Sequence, residues 1–294
     1  MTQYGAFFTG IAAAGAIAAG VALLPNSAPA EHASARAVVA ATQLGLPADA
    51  ETALDRLNRS PRHGEWAKIG EGADALNAWV VYPERSDKAP VVVVIHEIFG
   101  LTHWVRAVAD QLAADGFIAI APDLMTSKNL PTGPNGPEQS AATAAIRTLD
   151  PATVQRHIDL TAQYGMALPA ALPVYGVVGF CWGGTTVFNH AVHAPALGAS
   201  VVYYGSSPPT PTLATVKAPV LGLYGGSDAR VNATIADAAA ALKAVGQSFE
   251  SVVFDGAGHG FLRQQTGQDG ANQRASQDAW PRTIAFFRQH LVVR

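Results

Sequence analysis

The chain holds one cysteine among its 294 residues, in Gly179-Phe180-Cys181-Trp182-Gly183-Gly184 at the end of an apolar run over 172–180. On a strand–turn–helix elbow a nucleophile is pushed out on a strained turn, where side chains two before and two after it would collide. Gly179 and Gly183 meet that demand. A helix expected over 184–194 would set free N–H groups and a positive dipole end beside the sulfur. That predicts a thiol normally titrating near ~8.5 made reactive near neutrality. The plain alternative is a small buried residue in a tight turn, so the rest of the sequence has to decide.

Three further apolar runs end in polar residues. After 91–95 comes His96-Glu97-Ile98-Phe99-Gly100, after 219–224 Gly225-Gly226-Ser227-Asp228, and after 249–254 Asp255-Gly256-Ala257-Gly258-His259-Gly260-Phe261. Catalytic groups of open α/β sheets gather beyond the carboxyl ends of the strands. Nucleophile, acid, histidine is the chain order of the α/β-hydrolase triad, here with cysteine in place of serine. Cys181 would attack a carbonyl, His259 would move the proton, and Asp228 would orient the imidazole and stabilise its cation. Asp255 and Asp278 are rivals, but Asp228 lies just past a strand that follows the elbow strand. An oxyanion hole needs two N–H donors, expected from the backbone of Trp182 and of Ile98.

The elements that must position these groups alternate. Residues 65–70 and 76–82 read as a hairpin around 71–74, and 91–95 as a strand covered on both faces. A helix is expected over 102–115, where Arg106 and Asp110 are spaced to pair, then a strand over 117–121. A Pro/Gly-rich passage runs to about residue 150, long enough for a lid or pocket wall. A helix over 151–165, the elbow, strands over 199–204 and 219–224, a helix over 232–245, a strand over 249–254 and a closing helix over 271–291 follow. This order predicts a mostly parallel, doubly wound sheet with helices on both faces.

Together His96-Glu97-Ile98-Phe99-Gly100-Leu101, Ala121-Pro122-Asp123-Leu124, the cysteine elbow, Tyr203-Tyr204-Gly205 and Gly258-His259-Gly260-Phe261 resemble the dienelactone hydrolase (carboxymethylenebutenolidase) family, over about 62–294. The resemblance implies Cys181, Asp228 and His259 as the triad, and Glu97 as the carboxylate that contacts the resting thiol and helps deprotonate it when substrate arrives. It also implies Arg263 as a ligand for a substrate carboxylate. A second such arginine is expected after Asp123, where 125–130 offers only Lys128, and Arg147 and Arg156 do not align with it. Trp182, Phe99, Tyr204 and Trp104 are candidate pocket walls, of which Trp182, Phe99 and Tyr204 are taken with Arg263 as substrate-binding. His103 reads as a helix-start residue. His190 and His193 have metal-like spacing without an acidic third ligand, so no metal and no cofactor is expected.

With 49% apolar residues and a net charge of −3, the chain can build a large core and shows no basic run to bind nucleic acid. A single cysteine leaves no intrachain disulfide. Residues 6–24 are uncharged and apolar, followed by Ala28-Pro29-Ala30, which reads as a secretory leader, or else a membrane anchor. The division expected is a leader over 1–30, a helical extension over 31–62 and the α/β-hydrolase domain over 63–294. The activity expected is cofactor-independent hydrolysis of lactones or small esters through a thioester, by an exported monomer. A broader carboxylesterase or acyltransferase on the same triad, or a thiol-redox or binding protein on this scaffold, are the alternatives.

Overall fold

A computed structural model describes residues 45–292. The leader-like stretch and the extension up to residue 44 lie outside the described residues.

The central strand β3 (Ala89–Ile95) shows why the sheet is two-sided. Val92 and Val94 pack into one core layer, Val91, Val93 and Ile95 into the other, all fully buried. Parallel neighbours share this property, because helices cover both faces and leave no polar alternation. The eight-stranded sheet runs β1 (Gly64–Ile69), β2 (Leu76–Val81), β4 (Ile118–Pro122), β3, β7 (Ala171–Phe180), β8 (Ala199–Tyr203), β9 (Val220–Gly225), β10 (Phe249–Phe254). The pairings of β2 with β1 and β4 are antiparallel, and all others are parallel. The hairpin falls at the sheet's edge, and the doubly wound α/β-hydrolase architecture holds.

One layer holds α1 (Ala53–Asn58), α2 (His103–Ala114) and α8 (Ala271–His290); the other holds α4 (Pro151–Ala167), α5 (Trp182–His193) and α7 (Ile235–Ala244). The helix expected over 232–245 is α7, and a four-residue turn beyond that expectation, α6 (Ala229–Asn232), precedes it, with Asp228 capping that turn by accepting from the Val231 N–H. The Pro/Gly-rich passage is also structured. It carries a two-residue ribbon, β5 (Thr132–Gly133) with β6 (Gly136–Pro137), and α3 (Gln139–Ala145), whose first turn is capped by Glu138.

Arg106 and Asp110 do not pair as their spacing suggests. Arg106 lies over the Trp79 ring at 4.1 Å, and Asp110 instead accepts Arg62 at 3.0 and 2.6 Å and the Ser60 hydroxyl at 2.5 Å. A stacked guanidinium and a buried carboxylate each found a partner outside the helix. The described part of the extension therefore packs on the main domain: Leu46 and Ala53 are buried, the Ala50 N–H donates to Arg263 O at 3.0 Å, and Gln265 Nε2 donates to Pro47 O at 2.9 Å.

Candidate active site

The elbow is built by backbone crowding. Cys181 has φ 56° and ψ −114°, a left-handed conformation that strains a residue with a Cβ. A Cβ on Gly179 would stand 2.1 Å from Gly183 O, and one on Gly183 would stand 2.4 Å from Ile95 O. Gly184 and Gly205, which the elbow pattern does not single out, are equally constrained: their Cβ atoms would lie 2.5 Å from Tyr203 O and 2.3 Å from Thr185 N. The Cys181 N–H donates to Tyr203 O at 3.1 Å, so β8 holds the turn in place. The elbow helix starts at Trp182, two residues earlier than expected.

Burial reverses the expectation of a thiol reactive near neutrality. Removal from water, and then the charge of Glu97, push the Cys181 thiol up to about 11; the Trp182 N–H, Arg230 and Arg263 act in the opposite direction and lose. Glu97 is itself buried, at 4% exposure, and desolvation lifts its carboxyl to about 7 against the pull of Arg263. Arg263 Nε lies 2.9 Å from Glu97 Oε2, a close charge contact whose N–H is not aligned for a hydrogen bond. Its guanidinium also stacks over Phe99 at 5.0 Å. At rest the site thus holds a protonated thiol beside a carboxylate whose only counter-charge in this group is Arg263.

A second group forms where β9 and β10 end. The Gly226 N–H donates to Phe254 O at 2.8 Å and the Ser227 N–H to Ala257 O at 2.9 Å, clamping the two loops together. His259 Nδ1–H donates to Asp228 Oδ2 at 2.5 Å, with Asp228 buried and the His259 side chain 35% exposed. The Gly258 N–H donates to Asn272 Oδ1 at 2.9 Å, which fixes the loop from the side of α8. Asp278 is engaged with Arg282 and takes no part.

Tyr204 joins the two groups. Its ring lies 5.1 Å from that of His259, while burial and the nearby charges of Glu97 and Cys181 hold its phenol well above its ordinary value. It is fully buried, at φ 40°, and its hydroxyl has no hydrogen-bond partner. Tyr204 is therefore the floor of the site, not an open wall, with an uncommitted O–H donor.

The other candidates separate. Phe99 and Arg263 line a cavity of about 300 Å³ with Ala50, His103, Trp104 and Pro137. The long passage does form a wall there, through 133–139. Trp182 turns the other way: it stacks on His96 at 5.7 Å and lines a separate cleft with Leu149, Thr185 and Asn189. The side chains of Trp182 and Ile98 both pack against the small cluster of Met125, Ala142 and Ile146. Trp182 is the first helical residue, so its N–H has no acceptor within its own helix. His103 opens α2 as expected and adds a buried Nδ1 without a partner. His190 is occupied by Gln155 and Tyr175, and burial holds it down at about 4. Arg156 is held by Asp74.

A profile described as "Dienelactone hydrolase family" matches residues 76–291. A Salmonella typhimurium (strain LT2) protein named "Putative carboxymethylenebutenolidase" is 31% identical over 234 residues, 76% of this chain and 86% of that protein. A Bradyrhizobium sp protein named "Probable 2-oxo-3-(5-oxofuran-2-ylidene)propanoate lactonase" is 28% identical, over 77% of this chain and 94% of its own length. Among solved structures, a "Putative Dienelactone Hydrolase" from Klebsiella pneumoniae superposes with a TM-score of 0.68 at 28% identity, covering 78% of this chain and 99% of that one.

Proposed function

The chain belongs to the dienelactone hydrolase family and is a hydrolase of lactone or ester bonds, and from that premise we propose that Cys181 carries the reaction as a covalent nucleophile. The observation that carries this reading is the strained left-handed turn that presents the chain's one thiol, with Glu97 beside it. Strain at a non-glycine residue persists only where surrounding structure enforces it, and here four glycines have been cleared for it.

At rest Arg263 neutralises Glu97. An arriving substrate oxygen that draws Arg263 away leaves the buried carboxylate without its cation, which raises its affinity for a proton. Glu97 then takes the proton of Sγ, and the thiolate attacks the substrate carbonyl. The N–H groups of Ile98 and Trp182 receive the oxyanion. The acyl C–O bond breaks, leaving a thioester on Sγ and an alkoxide or enolate that takes back a proton. His259, oriented by Asp228, removes a proton from water; the hydroxide adds to the thioester, and sulfur departs and is reprotonated. The substrate is a small lactone or ester lying across Phe99, Arg263 and the Tyr204 floor. We also read residues 6–24 as a leader that takes the enzyme, as a monomer, out of the cytoplasm, which N-terminal sequencing of the mature protein tests.

Cys181→Ala abolishes turnover of a lactone and ester panel while the far-UV spectrum and Tm stay near wild type, and mass spectrometry of quenched wild-type reactions finds one acyl mass on the peptide carrying residue 181. Full activity in Cys181→Ala overturns the proposal.

A further inference from the structure

His96 directly follows β3, is fully buried, and takes no step in the reaction proposed above. Yet it touches both segments that carry the candidate oxyanion donors. On one side its Nδ1–H donates to the Glu97 carbonyl at 2.7 Å. The Gly100 N–H donates to the same oxygen at 3.2 Å and closes a turn over 97–100. On the other side the imidazole stacks on the Trp182 ring at 5.7 Å, with the two planes 17° apart. The backbones are pressed together as well, since a Cβ on Gly183 would stand 2.5 Å from His96 O.

This arrangement fixes the tautomer. A carbonyl can only accept, so the proton sits on Nδ1 and Nε2 carries a lone pair. Nε2 is buried and has no hydrogen-bond partner among the described residues. Burial lowers the pKa of the ring from its ordinary value, against the pull of the Glu97 carbonyl and of Asp123, so Nε2 gains no proton. A buried acceptor left unpaired is destabilising, and an apolar side chain of similar size would not carry that penalty. The imidazole is a poor choice for packing alone, and the group it contributes is the donor on one carbonyl.

We propose that His96 is a positioning residue of the oxyanion hole: its Nδ1–H fixes the plane of the Glu97–Ile98 peptide and its ring braces Trp182, presetting the two N–H groups for the oxygen that becomes charged. The proposal rests on Cys181 as the reacting group and on the Ile98 and Trp182 backbones as the donors. The C=O of Glu97 and the N–H of Ile98 belong to one planar trans peptide and point in opposite directions. A carbonyl gripped by two donors therefore holds the direction of that N–H. Hydrogen bonds to the carbonyl also polarise the amide, which strengthens its N–H as a donor. Donors already in place need no reorganisation as charge develops in the transition state.

The test separates oxyanion stabilisation from thiol reactivity. 1,1,1-Trifluorohexan-2-one adds reversibly to Cys181: the Sγ–C bond forms, the carbonyl π pair moves onto oxygen as an alkoxide, and the thiol proton goes to Glu97. Iodoacetamide alkylates the same, sole cysteine with loss of iodide and creates no oxyanion. The full-length protein is compared with His96→Phe, which keeps a flat ring without the donor, and with His96→Asn, whose side-chain N–H replaces Nδ1–H. His96→Leu repeats the donor-free case with a smaller side chain. In both donor-free variants the inhibition constant of the trifluoroketone is expected to rise about 10-fold and kcat for p-nitrophenyl butyrate to fall by a similar factor. KM, the alkylation rate and Tm should stay close to wild type, and His96→Asn should recover most of both losses. An inhibition constant unchanged in His96→Phe and His96→Leu overturns the proposal and leaves the nucleophile reading standing. Equal losses in inhibition, kcat and alkylation also overturn it, because His96 would then act on the thiol through Glu97. A Tm that falls in step with activity in both variants makes His96 a packing residue and overturns it too. The nucleophile reading fails separately, on full activity in Cys181→Ala, and takes this proposal with it.

Discussion

The resting site keeps the Cys181 thiol neutral, and Glu97 is the residue responsible beyond simple burial. Its charge raises the Cys181 thiol, and the carboxyl titrates near 7, so the effect is present above that pH and fades below it. Glu97→Gln removes the opposing charge and leaves Arg263 unpaired beside the sulfur, both of which favour thiolate. Iodoacetamide alkylation at pH 8 should then run several-fold faster than in wild type, while ester turnover falls because the proton acceptor is gone. Equal alkylation rates would mean that Glu97 does not govern the thiol. The same carboxyl also couples folding to pH. Its folded value lies above the unfolded one near 4.5, so the folded state holds an extra proton between about 4.5 and 7. Its stabilising contribution is complete below that window and is lost as pH rises through 7, a change on the order of 3 kcal/mol. Chemical denaturation of wild type and Glu97→Gln across pH 4.5–8 checks this: the variant should show the flatter curve.

Elements place these residues by crowding at strand ends, and that crowding sets what the sequence could reveal. The order of strands and the two glycines flanking the elbow are visible as local pattern, since each is dictated by neighbours a few positions away. Tyr204 and Gly205 stand out in the sequence only through the resemblance, and their crowding does not, because it comes from β8 pressing against the elbow helix, a contact between segments about 20 residues apart. Nor does spacing reveal that Trp182 points away from the cavity of Phe99 and Arg263. That follows from which layer α5 packs in. Gly205→Ala tests the crowding. Its Cβ would meet backbone atoms of Gly184 and Thr185 at 2.3 Å, atoms that cannot rotate away. The expected result is a loss of several kcal/mol in denaturant unfolding, in the range of strained or overpacked core sites, with reduced turnover in whatever folds. A wild-type midpoint would show that the elbow can shift freely.

At the scale of the whole molecule, chain distant in sequence holds the loop that bears His259 and Arg263. Residues 46–50 lie along 262–265, joined by Ala50 N–H to Arg263 O and by Gln265 Nε2 to Pro47 O, across 218 positions. No periodicity announces such a contact, which is why the extension reads as separate from the domain it packs on. Arg62 and Asp110 make a second fastening farther back, with side chains 10% and 4% exposed. The two fastenings should fail differently. Asp110→Ala leaves a mostly buried guanidinium unpaired, which costs about 3 kcal/mol, yet it lies away from the thiol and should leave kcat/KM near wild type. Gln265→Leu strands the Pro47 carbonyl for about 1–2 kcal/mol, a smaller loss. It loosens the backbone that carries Arg263, however, so kcat/KM should fall by several-fold although stability changes less. Urea unfolding and ester kinetics on the two variants give the comparison. If Asp110→Ala lowers activity more than Gln265→Leu does, the segment over 46–50 is a general brace of the fold and has no particular hold on the loop bearing His259 and Arg263.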